Sequence, residues 1–567
     1  FANSHTRMTD TSKKLEDYYK LKPFGNARFM HMTDSHAQLL PIYFREPSVN
    51  LGFFSNFGKP PHIVGEKLLD YYGIKGNKRL EYAYSCVNFE KHAKVMGKVG
   101  GFAQIKTVVD YLKESFGADK TLLLDGGDTW QGSATSLYTR GRDMVGAMNL
   151  LGVDVAVGHW EFTYKAEEVL ANVKELKAEF LAQNIFVKED SMMNGVEAFD
   201  EDTGHAFKPY TIKKMGNARV AIIGQAFPYT TIANPQRFIP DWTFGIKEDS
   251  MQEIVNKIKA EEKPDAIIVL SHNGFDTDKK MAEVVSGIDF ILGGHTHDGV
   301  PEAVPVKNAN GTTYVCNAGS NGKFLNVLDL DIQKGKIKDF KFTLLPIFSD
   351  LIPENKEMKK YIEDVRLPFL KELTRPIATT EQTLFRRGNF NGSWDQIICD
   401  ALLEVKEAQI SLSPGFRWGT SVMPGQTITF DDLMTQTAMT YPETYARDIK
   451  GEDIKAILED VADNLFNEDP FYQQGGDMVR TGGISYKINP TAKMGERITD
   501  IVLTKTGEKL DASKSYKVAG WSTVGAQSEG EPVWETVETY LKNVKHITNV
   551  KVDTPDIIGV KGNPGII

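Results

Sequence analysis

Long apolar runs are absent from this sequence, and cysteine is scarce. No stretch approaches the roughly 18 consecutive apolar residues that a membrane-spanning helix needs; runs such as residues 266–270 have the length of a strand. The three cysteines, Cys86, Cys316 and Cys399, lie far apart without Cys-x-x-Cys spacing. That excludes a zinc ribbon and a dithiol redox motif and leaves buried or inert thiols as the expectation. Positive charge is in deficit too: 66 Lys and Arg stand against 76 Asp and Glu, a formal net charge of -10. With no basic stripe interleaved with aromatics, a nucleic-acid surface is not expected, because phosphate neutralisation needs clustered cations. Residues 1–21 are polar and charged and lack the apolar core of a signal peptide, so an export signal is expected to have been removed or never to have existed. Repeats and low-complexity tracts are also missing.

What is present is an ordinary globular composition, 41% hydrophobic and 25% charged, over 567 residues. A single hydrophobic core stops growing at about 250 to 300 residues, so at least two domains are expected. Residues 27–345 alternate short apolar runs with amphipathic stretches, the pattern of strands alternating with helices. Within 101–116, Ile105, Val108, Val109 and Leu112 recur at helical spacing. Residues 354–374 read as a linker helix kinked near Pro368. Beyond Pro376 a second domain is expected, with a helix over 394–408 and hairpin-like strands over 427–433 and 483–503. The segment 38–98 is rich in Gly, Pro and aromatics such as Phe53, Phe54, Phe57, Tyr71 and Tyr72. A loop region of that length reads either as a lid or docking surface or as an excursion packed by its own aromatics.

Five strand-like runs end in metal-ligand chemistry. Residues 29–32 lead into Thr33-Asp34-Ser35-His36, where residues two apart face the same way in an extended chain and can grip one ion. Residues 121–124 lead into Asp125-Gly126-Gly127-Asp128; the glycines permit a sharp turn that frees Asp128, whose carboxylate can bridge two cations. Asp125 reads as a turn residue bonded to its own backbone. The runs 153–157, 266–270 and 290–292 lead into Gly158-His159, Ser271-His272-Asn273-Gly274 and Gly293-Gly294-His295-Thr296-His297. In open α/β sheets, ligands bind beyond the carboxyl ends of the strands, so these two Asp and five His residues can converge on one site. The other histidines, His5, His31, His62, His92, His205 and His546, lack that placement and read as surface or hydrogen-bonded residues.

The ordered set Asp-x-His, Gly-Asp, an altered Gly-Asn-His-Glu box, an x-His motif and Gly-His-x-His resembles that of the calcineurin-like metallophosphoesterases, and the two-domain length resembles the 5'-nucleotidase branch. The stretches 33–40, 43–47, 125–133 and 158–164, with Gln473-Gln474-Gly475-Gly476-Asp477 further on, are similar to the SoxB family of thiosulfohydrolases of bacterial sulfur oxidation. That resemblance implies a mixed α/β plus α+β chain: a catalytic domain over 22–350 built as a four-layer metallophosphoesterase-type β-sandwich flanked by helices, a linker helix over 351–377 and a nucleotidase-like C-terminal domain over 378–567. Carried over motif by motif, it implies one divalent metal on Asp34, His36, Asp128 and His297 and a second on Asp128, His159, His272 and His295. Thiolate-free, His-rich sets suit Mn, Fe or Zn, so manganese is an expectation of the family alone.

The implied activity is hydrolysis of the sulfonate from a cysteine S-thiosulfonate on the SoxYZ carrier protein, in the periplasm and by a monomer. In the nucleotidase box Gly-Asn-His-Glu-Phe-Asp, the His and Asp form a dyad that assists the leaving group, whereas this chain carries Trp160 and Thr163 there. Neither can act as an imidazole acid. Ser413-Pro414-Gly415-Phe416-Arg417-Trp418 resembles the turn with which nucleotidases aim an Arg at the substrate, making Arg417 the expected anion anchor. Trp160 and Tyr164 are further expected substrate contacts, and Arg386 and Arg387 read as exposed loop charges. A nucleotidase acting on phosphate esters and a catalytically silent, carrier-binding metalloprotein are the competing readings.

Overall fold

The computed structural model describes residues 15–567, so His5 lies outside the described residues. The chain divides into two compact units, one of residues 1–42, 96–131 and 138–367, the other of 43–95, 132–137 and 368–567. Among the described residues, no helix is long and apolar enough to cross a membrane.

The first unit is built on β1 (Ala27–Met32), β2 (Thr121–Asp125), β3 (Val155–Ala156), β4 (Glu179–Phe180), β5 (Tyr210–Met215), β6 (Ala218–Gln225), β7 (Ala266–Ser271), β8 (Phe290–Gly293), β9 (Val304–Asn308), β10 (Gly311–Asn317), β11 (Phe324–Gln333) and β12 (Lys336–Pro346). They form two six-stranded sheets, ordered β12-β11-β1-β2-β3-β4 and β9-β10-β8-β7-β6-β5. Within each, the central strands are parallel: β1 to β4 in the first, and β6, β7, β8 and β10 in the second. Parallel strands inside a sheet need cover on both faces, and Ala266–Ser271 is accordingly buried at every position. Helices such as Phe102–Phe116 supply the crossovers; its Ile105, Val108, Val109 and Leu112 are all buried. Pairing of Met32 with Asp125, of Asp125 with Ala156 and of Leu270 with Leu292 sets the carboxyl ends of neighbouring strands level. The run 153–157 is paired only over Val155–Ala156.

Buried polar pairs pin the sheets. Arg28 in β1 holds Asp329 in β11 through Nε at 2.8 Å and Nη2 at 2.9 Å, and its Nη1 donates to the Leu112 carbonyl at 3.0 Å. At the sheet edges, Glu179 in β4 accepts from Lys208, Thr211 and Lys213, each at 2.8 Å.

The helix of residues 354–374 is interrupted as expected: Lys356–Arg366 is α-helical, Leu367–Phe369 is a 3-10 turn, and Leu370–Leu373 resumes. Proline at 368 removes a helical donor. In the second unit the helix Ser393–Val405 fits its expectation, and so does the antiparallel pair Ile484–Ile488 with Ile498–Leu503. Residues 427–433 do not: the strand ends at Thr429, whose hydroxyl caps the Asp432 amide while Asp432 caps Thr429, starting the helix Phe430–Thr437. The alternation of Ile428 with Phe430 mimicked a strand and hid this capping box.

The segment 38–98 is not a structureless loop either; short helices occupy Gly65–Tyr72, Lys78–Tyr84 and Phe89–Met96. Its Leu51 is buried in the second unit's core with Ile410, Leu458 and Val518, and Phe53 packs on Phe466 with ring centroids 5.8 Å apart. Arg386 and Arg387 correct the sequence reading as well. Both are buried, Arg386 on Asp395 at 2.9 Å and on the Gln436 carbonyl at 2.7 Å, Arg387 beside Asp477 at 3.7 Å. Anionic and carbonyl partners make burial of these guanidinia tolerable. Cys316 and Cys399 are buried, and burial pushes both thiols up, as inert cysteines require.

Candidate metal centre

Asp34 and His36 follow β1, Asp128 follows β2, His159 follows β3, His272 follows β7, and His295 and His297 follow β8. All seven are buried. Ligand atoms of Asp34, His36, Asp128 and His297 lie within 4.8 Å of one another, as do those of Asp128, His272 and His295. Asp128 is common to both groups. His159 stands beside the second group rather than within it, its ring centroid 5.3 Å from His272 and 5.2 Å from His295.

Five of the seven adopt left-handed backbone: φ is 52° at Asp34, 46° at His36, 57° at Asp128, 77° at His295 and 61° at His297. Non-glycine residues rarely do so, at a cost of order 1–3 kcal/mol each, and such strain concentrates at binding and catalytic sites. The fold therefore holds these side chains together against local preference.

Hydrogen bonds from the surrounding loops aim the rings. The Nδ1 atoms of His36 and His272 lie 3.1 Å from the Gln131 carbonyl and 2.5 Å from the Gly126 carbonyl. A carbonyl only accepts, so each Nδ1 carries a proton and each Nε2 is the ring atom turned inward. There, His272 Nε2 lies 3.0 Å and His36 Nε2 3.5 Å from Asp128 Oδ2, and His36 Nε2 lies 3.2 Å from His297 Nε2. Two donors bound about 2.0–2.2 Å from one cation are separated by about these distances. Asp34 Oδ2 accepts from the Thr33 hydroxyl at 2.6 Å and the His295 amide at 2.9 Å. Its Oδ1 is buried without a hydrogen bond, with His297 and His272 nitrogens at 3.3 and 3.5 Å. A buried anionic oxygen with no hydrogen-bond donor, met by imidazole nitrogens, is a cation cradle. The donor set therefore fits divalent metal.

Electrostatics couple the carboxylates to the imidazoles. Burial opposes a charged His272, yet Asp128 and Asp34 push it up to about 10. Burial likewise opposes a charged Asp34, but His272, His297 and His36 hold it well below the usual carboxylate range. The His36 imidazole is held at about 3 by burial and by His297 beside it.

Of the other expected site residues, Trp160 is buried with its ring 4.9 Å from that of His159. The Tyr164 hydroxyl donates to the Trp130 carbonyl at 2.7 Å, so its one proton is engaged within the protein. Arg417, in the second unit, donates to the Gly476 carbonyl at 3.0 Å, and its Nε lies 3.8 Å from Asp477. Asp125 is the turn residue expected, accepting from the Gly127 amide and the Thr129 hydroxyl. His31, His92, His205 and His546 each have a hydrogen-bonding partner, respectively Asn326, Glu81, the Gln183 carbonyl and Thr379. Sequence reasoning passed over Glu161, whose carboxylate accepts from four backbone amides around the site. Its place in the altered box was the only signal.

Residues 376–536 match the family model described as the 5'-nucleotidase C-terminal domain. The sulfate thiohydrolase SoxB of Thermus thermophilus superposes with a TM-score of 0.87 at 34% identity, over 95% of this chain and 98% of that one. The chain belongs to the SoxB family. Within the wider superfamily of 5'-nucleotidases and metallophosphoesterases it is a hydrolase by descent. The 5'-nucleotidase of Bos taurus is 26% identical over 77% of this chain and 78% of its own length. The trifunctional nucleotide phosphoesterase YfkN of Bacillus subtilis is 28% identical over 73% of this chain, which spans 30% of YfkN. In this SoxB-family chain, Trp160 and Thr163 are both buried.

Proposed function

We propose that this chain is a dinuclear-metal thiosulfohydrolase that releases sulfate from a cysteine S-thiosulfonate on the SoxYZ carrier. The observation that carries the reading is the box Gly158-His159-Trp160-Glu161, in which the metal-facing machinery is kept and the acid dyad is gone. Asp34, His36, Asp128 and His297 would hold one divalent cation, and Asp128, His272 and His295, with His159 beside them, the other; manganese is the expected metal. Bound there, such a pair supplies Lewis acidity that activates water at neutral pH and balances charge on the sulfonate oxygens.

The residues of the chain do the rest. Asp128 presents Oδ2 to both histidine groups because its Oδ1 is engaged by the Trp160 amide at 2.8 Å. Gln131 and Gly126 fix the tautomers of His36 and His272. Water oxygen bonds to the sulfonate sulfur, the S–S bond breaks, and its electron pair leaves on the carrier's persulfide. A persulfide is far less basic than an alkoxide and departs as an anion, so no imidazole acid is needed and Trp160 serves as an apolar wall. Tyr164 is tied to the Trp130 carbonyl. Arg417 is the proposed anion anchor, its planar guanidinium suited to a sulfonate oxyanion. The reading places the reaction in the periplasm, carried out by a monomer with SoxYZ as partner.

A phosphoesterase acting on nucleotides is the second reading, favoured by the nucleotidase-type C-terminal domain. A silent carrier-binding metalloprotein is the third. Metal analysis combined with two assays separates them: sulfate from a thiosulfonate-loaded carrier, and phosphate from AMP. Sulfate release by the protein carrying two metals is the expected result. Phosphate release without sulfate supports the nucleotidase, and carrier binding without either product supports the adaptor.

A further inference from the structure

Glu161 is 1% exposed and lies inside a ring of backbone amides. Its Oε1 accepts from the Asp128 amide at 3.1 Å and the His159 amide at 2.9 Å; its Oε2 accepts from Thr129 at 2.6 Å and Trp130 at 3.2 Å. Three of these amides belong to the loop after β2 and one to the loop after β3. The tie is reciprocal, because the Trp160 amide donates to Asp128 Oδ1. Two loops that carry metal-facing residues are thus closed on each other by one buried anion and one shared carboxylate. No side chain in the ring depends on chemical identity except Glu161 and Asp128.

This ring has consequences for the side chains it carries. Asp128 has φ 57° and follows Gly127 at φ 94°, so local preference alone would not keep its carboxylate where it is. With Oδ1 engaged, only Oδ2 is left to face His272 at 3.0 Å and His36 at 3.5 Å. The His159 backbone is likewise fixed, with φ −154° and ψ −83°, outside the common basins. On the dinuclear reading the second set would ride on this ring through both His159 and Asp128, the first only through the shared Asp128, with Asp34, His36 and His297 outside it.

We propose that Glu161 is a positioning residue that builds the second cation site by locking the Asp128 and His159 loops together. The proposal rests on the dinuclear reading above. Groups that orient metal ligands in this way change metal affinity by about 10- to 100-fold when replaced. Glutamine at 161 keeps the shape but turns two N–H donors toward a ring of N–H donors. Aspartate keeps the charge but is one methylene too short to span both loops.

The test titrates Mn2+ into metal-free wild type, Glu161→Gln and Glu161→Asp by calorimetry, with hydrogen–deuterium exchange followed across residues 126–131 and 157–163 of the metal-free proteins. Wild type is expected to bind two ions. Both variants should bind one ion about 10- to 100-fold more weakly and the other, whose set shares only Asp128 with the ring, less so, with faster exchange confined to the two segments. Excess Mn2+ should restore kcat and leave KM unaltered. Wild-type affinity for both ions in either variant, or unchanged exchange, overturns the positioning role while the dinuclear reading stands. A wild-type protein that takes up fewer than two ions instead overturns the dinuclear reading, and the proposal with it. If Glu161→Gln does not fold, Glu161→Asp decides by the same readings.

Discussion

Restoring the dyad, by Trp160→His together with Thr163→Asp, should raise hydrolysis of phosphate monoesters. A positioned general acid contributes about 10²- to 10⁴-fold, equivalent to about 2.7–5.4 kcal/mol of barrier. The structure says the substitution can be accommodated. The backbone at 160 is fixed by its bond to Asp128 Oδ1 and by Glu161, whatever side chain it carries. Trp160 is 7% exposed, so trimming it to imidazole costs less than the ~3–5 kcal/mol of a Trp→Ala truncation, within the ~5–15 kcal/mol stability of a typical domain. Thr163 is 1% exposed, and an aspartate there needs the new imidazole as its partner. Thr163→Asp alone should therefore destabilise without gain, Trp160→His alone should give part of the rise, and the pair should give most of it. The assay is phosphate release from AMP and p-nitrophenyl phosphate, with metal content measured on the same samples. A double variant holding two metals per chain and hydrolysing phosphate esters no faster than wild type refutes the argument that leaving-group basicity explains Trp160.

Three other outcomes are expected. Burial keeps the Asp329 carboxyl raised even with Arg28 beside it, so their bidentate pair is close to break-even; yet Arg28→Met strands a buried charge and should cost about 3–5 kcal/mol in denaturant unfolding, against far less for Arg28→Leu with Asp329→Leu. A cost below about 1 kcal/mol for Arg28→Met would show that Asp329 finds another partner. Arg417→Ala should lower kcat/KM for carrier-bound substrate by about 10- to 100-fold, the value of one charge-assisted hydrogen bond, with Lys recovering only part; unchanged kinetics would mean that Arg417 has a structural role only, in its contacts with Gly476 and Asp477. Burial opposes a charged Glu179, but hydrogen bonds from Lys208, Lys213 and Thr211 outweigh it and hold the carboxyl at about 2, below its ordinary 4.5. A lowered carboxylate stabilises above its unfolded value and ceases to as pH falls through the folded one, so Glu179→Gln should flatten the pH dependence of stability between about 4.5 and 2, and an unaltered acid limb contradicts the edge contact.

The seven residues expected as ligands were legible in the sequence because their motifs follow apolar runs, and parallel strands bring their carboxyl ends to one place; six gather into the two candidate groups, with His159 beside the second. That grammar is local in the chain and needs only register to become a site. Asp34 Oδ1, left without a donor, and the left-handed φ at five ligands were not legible, since both arise from where loops meet in space. Arg386 and Arg387 were misread for the same reason: residue type says surface, whereas Asp395 and Asp477 bury them. Glu161 is the instructive case. Its partners are backbone amides, and amides leave no trace in residue identity. The Gly158-His159-Trp160-Glu161 box is therefore two things at once: a backbone held by Glu161 and Asp128, and side chains at 159, 160 and 163 that this backbone carries without depending on them. A loop anchored through its amides can exchange an acid for an apolar wall without moving the metal ligands beside it. On the proposed reading, the altered box would change which leaving group the site favours while keeping the backbone that carries it.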